Sequence, residues 1–91
     1  MAEWTQDQAI AFEVARECIT HVMAICSEAI SAEESKARPD PVRLAKFERE
    51  LDELVRERAA LTVQDEERIA RIQSECGARI RAYRQQHQKA A

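Results

Sequence analysis

Only one stretch of this chain, Phe12 to Ile30, is apolar over about half of a helical circumference, and that width limits what the chain can fold into. At about 100° per residue, Ala15, Val22, Cys26 and Ala29 lie near the centre of the apolar half. Phe12, Ile19, Met23 and Ile30 form a ridge on one flank, with Val14 and Ile25 on the other. Small residues between two ridges accept two neighbouring helices at close range, whereas an ordinary surface helix buries a single narrower stripe. The stretch is therefore expected to be a central helix that contacts two others.

The rest of the chain supplies those two helices and little else. It has 91 residues, enough for one domain with a small core, and its 45% hydrophobic content includes only four aromatics. A core of Ile, Leu, Val and Ala suits close helix packing. One Gly and two Pro are too few turn residues for a sheet protein.

Thr5 and Gln8 form a capping box that starts the first helix near residue 5, and the pattern runs to about 35. Arg38-Pro39-Asp40-Pro41 then stops it, because each proline disfavours helical geometry in the residue before it. Asp40 is an N-cap and Pro41 suits the first helical position, so a second helix is expected over about 41–60. Its buried seam is Leu44, Phe47, Leu51, Leu54 and Val55. Lys46/Glu50, Arg49/Glu53 and Asp52/Arg56 are opposite-charge i,i+4 pairs for its outer surface.

Continuing that seam would put Arg58, Asp65 and Arg68 in the core, so the chain must break between them. Thr62 with Asp65 reads as a new capping box, predicting a tight turn at about 60–63 and a third helix over about 62–87. A single helix from 41 to 87 is the alternative, and it requires a partner chain to cover it. Ile69, Ile72, Cys76, Ile80 and Tyr83 make the third seam, with His87 on the same line. Gly77 lies off it at a cost of ~1 kcal/mol against alanine, which points to a close approach of another backbone or to a bend. The expected fold is thus one all-α domain over 1–91, an antiparallel up-down-up three-helix bundle with a frayed end at about 88–91.

Charge excludes two function classes. A net charge of −3 fits neither a strongly basic nucleic-acid binder nor a heavily acidic DNA mimic. It is unevenly spread: residues 1–40 carry eight acids and three bases, and residues 63–91 four acids and six bases. In a bundle that asymmetry draws the first and last helices together. No run approaches the length of a membrane span and Met-Ala-Glu-Trp does not resemble a signal peptide, so a cytoplasmic location and no membrane partner are expected. Cys18, Cys26 and Cys76 all fall on apolar helix faces and read as buried reduced thiols.

Catalytic and metal chemistry find little footing. Cys18 and His21, with Cys76, lack the paired spacing of a structural zinc site. Mid-helix thiols have no oxyanion hole beside them, and there is no Gly-rich phosphate loop. No metal, no cofactor and no enzymatic activity are expected.

What remains is the surface. The expected function is a non-enzymatic interaction module, a small inhibitor or adaptor that docks on a larger protein or nucleoprotein. Inhibitors carried by phages or mobile elements, such as anti-CRISPR proteins and antitoxins, belong to this class, though no residue singles one out. Twenty residues of the second helix are too short to cover the start of the first. Trp4, Ile10 and Phe12 are therefore expected to overhang beside Arg58 and the acids Asp65, Glu66 and Glu67, an apolar patch rimmed by charge. Two alternatives stand beside this reading. A nucleic-acid-binding regulator would use Arg79, Arg81, Arg84 and Lys89, although the first three point in different directions on a helix. A structural homodimer would use the broad apolar face of the first helix.

Overall fold

The computed structural model describes residues 4–89, which form three helices and no strand: α1 (Gln6–Glu34), α2 (Pro41–Ala60) and α3 (Glu66–Lys89). Local chemistry sets two of the starts. Thr5 Oγ1 accepts from the Gln8 backbone N–H at 3.1 Å while Gln8 Oε1 accepts from the Thr5 N–H at 2.8 Å, so both halves of the capping box are made. Asp40 Oδ1 accepts from the N–H groups of Val42 and Arg43, with Pro41 opening α2.

The third start falls four residues later than the Thr62 cap predicts. Asp65 does reach back to the Thr62 N–H, at 3.2 Å, but its own N–H bonds to the Thr62 carbonyl, so residues 62–65 close a turn. The Asp65 carbonyl then accepts the first helical bond, from Ile69. The same two residues serve a turn as readily as a cap, and the turn rules out one continuous helix from 41 to 87. At the other end α3 is helical to Lys89, so of the frayed end expected at 88–91 only residues 90 and 91 lie outside the described residues.

Packing follows the width of the apolar face on α1. α2 runs antiparallel to it, with Arg58 at Thr20 and Asp40 at Glu33, and α3 runs parallel, with Glu66 at Gln8 and Tyr83 at Glu28. α1 packs on both, whereas among the described residues no Cα of α2 comes within 8 Å of one in α3. The bundle is therefore an opened V with α1 at its apex, and the Cα trace measures 57 × 27 × 15 Å.

The core is lopsided. Ala15, Ile19 and Val22 of α1 are buried against Ile69, Ile72, Cys76 and Ile80 of α3, with Leu61 from the turn closing over them, and Cys26 is buried beside Glu50 and Arg79. Every residue of the α3 seam up to Ile80 is thus inside. α2 contributes no fully buried side chain: Leu44, Phe47, Leu51 and Leu54 are half-buried and Val55 is exposed. Among the described residues none of the three ion pairs suggested by the α2 sequence is made, and Glu50 reaches Arg79 across the V instead of Lys46. That contact meets a partly desolvated guanidinium, whereas a pair within one exposed helix competes with water on both sides.

Glu33 is the one buried acid among the described residues, 3% exposed. Its carboxylate accepts from the Asp40 N–H at 2.9 Å and from Lys36 Nζ at 2.8 Å, with Arg43 Nε at 3.5 Å, and so ties the α1–α2 connection to the end of α1. The Lys36 hydrogen bond, then that of the Asp40 backbone, holds the Glu33 carboxyl below the ordinary carboxylate range.

Candidate protein-docking groove

The core closes over only part of the bundle. Past Cys26 on α1 and Ile80 on α3 no apolar side chain is fully buried among the described residues of those helices; Ile30 of α1, Leu44 and Leu51 of α2 and Tyr83 of α3 are covered only in part. Arithmetic on α1 explains the gap. Its apolar face ends in alanines, Ala29 and Ala32, which leave space where larger side chains would meet the diverging arms of the V.

That space is a groove of about 390 Å³. Ile25, Ala29 and Ala32 of α1 form its floor, Ala82, Tyr83 and His87 of α3 one wall, and Phe47 of α2 reaches it from across the V. Arg79 bounds the end nearest the core. Its Nη2 lies 2.8 Å from Glu50 Oε2 and 3.6 Å from Cys26 Sγ, so one residue from each helix meets there.

The charges along the groove are already engaged. Tyr83 donates its hydroxyl to Glu28, whose carboxylate holds the phenol proton and raises the Tyr83 pKa. His87 stacks on Tyr83 with ring centroids 3.9 Å apart and places Nε2 3.9 Å from Glu28 Oε1. With Arg79 on Glu50, the lining offers an incoming group mostly apolar surface and paired charge.

The patch expected at the N-terminal end is divided. Trp4 and Ile10 are about half exposed, at 49% and 54%, while Phe12 packs against the core with the Arg16 guanidinium 5.6 Å from its ring centre. Arg58 donates to Thr20 Oγ1 at 2.8 Å, which places it roughly 22 Å along α1 from the helix start beside Trp4. Asp65 is spent on the turn, Glu66 accepts from Gln8 Nε2 at 2.6 Å, and Glu67 is exposed. The structure thus brings Glu66 to the Trp4 end and leaves Arg58 near the middle of the molecule.

The basic residues of α3 separate as well. Arg79 faces α2, whereas Arg81 and Arg84 line one shallow depression on the opposite flank, with His21 of α1. The Lys89 side chain lies outside the described residues. Cys18, Cys26 and Cys76 are free, and burial pushes the thiols of Cys26 and Cys76 up, which keeps them protonated at neutral pH. Among the described residues no three His, Cys, Asp or Glu side chains are disposed to hold a metal ion, and no helix is long and apolar enough to cross a membrane.

Phe47, Tyr83 and Ala29 read in the sequence as ordinary seam residues. The available signal is that the α1 face shrinks to alanine while the partner helices still present aromatic rings. No protein-family model, no curated protein and no solved structure matches the chain.

Proposed function

We propose that this protein is a non-enzymatic interaction module, an inhibitor or adaptor that receives an uncharged apolar anchor of a larger protein in the groove between the ends of its three helices. The observation that carries the reading is the half-closed core: Ile25, Ala29, Phe47 and Tyr83 share a groove of about 390 Å³ that no part of the described chain fills. Pockets of this size and lining are where partner side chains of the Leu, Phe or Trp type gain most from leaving water. The anchor is uncharged because Glu28, Arg79 and Glu50 already satisfy one another or their neighbours.

A benzophenone amino acid in place of Gln86, an exposed residue lining the groove, irradiated in cells of the native host, tests this. A defined cross-linked protein is expected, whose affinity for the purified chain falls at least tenfold with Ala29→Trp, which fills the groove, and with Phe47→Ala. Unchanged affinity in both variants, with helicity intact, contradicts the proposal.

A further inference from the structure

Gly77 has no reason to be glycine inside its own chain. It sits in regular helix without a positive φ, and a Cβ added there would meet nothing nearer than the flexible Arg81 guanidinium, at 3.4 Å. Its helix penalty is therefore uncompensated by packing or by backbone conformation. It lies in a depression of about 350 Å³ on the outer flank of α1 and α3, where Val14, Cys18 and Ile80 form apolar walls and His21, Arg81 and Arg84 stand at one end. Glu17 lines the same depression and offsets part of that positive charge.

One stripe of α1 crosses this flank. Asp7, Ile10, Val14, Glu17 and His21 follow one another at intervals of three and four residues, so they share one side of the helix. Ile10 and Val14 are 54% and 43% exposed. The flank is acidic at Asp7 and Glu66, apolar at its middle and basic at Arg81 and Arg84. Among the described residues none of Asp7, Arg81 and Arg84 is ion-paired within the chain. A surface with opposite charge at its two ends and an apolar middle is complementary to itself when turned end over end.

We propose that this outer α1–α3 flank is a two-fold interface between two copies of this chain, with Ile10 of each copy seated over Gly77 of the other. The register supports it. An antiparallel two-fold at Val14 exchanges positions equally distant on either side of it, so the partner's Ile10 arrives at the level of Cys18 and the partner's Asp7 at the level of His21, beside Arg81 and Arg84. The knob is the exposed isoleucine and the hole is the space left by the missing Cβ. The stripe is about 21 Å long, and a face of that length on two helices belongs with small, weak interfaces. A weak dimer that weakens further with salt is the consequence, and it leaves both grooves free, since they lie beyond the stripe at the other end of α1.

Sedimentation equilibrium of the full chain from ~10 μM to ~1 mM tests this. The expected result is a mass rising from that of one 10.4 kDa chain toward two, with the midpoint moving at least tenfold higher for Ile10→Lys and for Gly77→Leu while helicity is retained. Arg81→Glu with Arg84→Glu in one chain, and Asp7→Lys in another, are each expected to stay monomeric alone and to dimerise when mixed. A single-chain mass across the whole range overturns the proposal. So does a dimer that Ile10→Lys and Gly77→Leu leave unchanged.

Discussion

Arg79 and Glu50, 2.8 Å apart, join the two helices whose backbones never approach, and they do so beside the buried thiol of Cys26. The pair spans the V that α1 holds open. Both side chains keep some contact with solvent, at 42% and 27% exposure, so screening holds what the pair contributes to no more than ~1 kcal/mol, the upper end of the range for exposed ion pairs.

Arg79→Met is expected to lower stability by about that amount, a fall in melting temperature of roughly 4–8 °C for a chain of this size. Denaturant unfolding of Arg79→Met, Glu50→Gln and the double variant checks it. Additive effects of the two single changes would show that the pair is not coupled.

The buried centre should be far less forgiving. Val22 is 1% exposed and lies within the core shared by α1 and α3, with no cation there to pair with a new carboxylate. Val22→Asp is expected to abolish the helical circular dichroism signal at neutral pH, because a domain has only ~5–15 kcal/mol to lose. Ile19→Ala, which leaves a cavity without a charge, is expected to cost ~2–5 kcal/mol and to remain measurable by denaturant unfolding. Wild-type melting in Val22→Asp would mean that this face of α1 is not the core.

Glu33 gives a pH signature. Its carboxyl titrates below the ordinary value of 4.5, so its stabilising contribution is present in full above that value and is lost as pH falls through its lower, folded-state pKa. Melting temperatures measured between about pH 2 and pH 7 are expected to drop on the acid side. Glu33→Gln should melt lower than wild type at pH 7, with the difference closing as pH falls through the lowered folded-state pKa of Glu33. A constant difference at every pH would show that the ionised carboxylate is not what ties down the α1–α2 connection.

These three sites differ in how far the sequence reveals them. Val22 is legible because a helix apolar over half its circumference has to be central, whatever its neighbours are. The caps at Thr5 and Asp40 are legible because each involves residues within a few positions of one another. Glu33 and the Arg79–Glu50 pair are not. Periodicity marks all three as surface charges, and only the path of the folded chain brings the Asp40 N–H to Glu33 or α3 to Glu50. The groove is hidden for the opposite reason, since Ala29 and Ala32 read equally well as sites of close helix packing and as the floor of an open groove. Trp4 and Ile10 are exposed and Arg58 falls on the continuation of the α2 seam, and their distances from one another depend on where α2 ends and α3 begins.

The claim that the core is closed at one end and open at the other is tested most directly by native-state amide hydrogen exchange of the isolated chain at low concentration. Amides of Ile19 to Cys26 and Ile72 to Ile80 are expected to exchange only through global unfolding, whereas those of Ala29 to Ala32, Leu44 to Leu51 and Tyr83 to His87 open locally, at free energies well below the global value. Uniform protection along all three helices would contradict it, because the ends that form the groove would then be as firmly packed as the core.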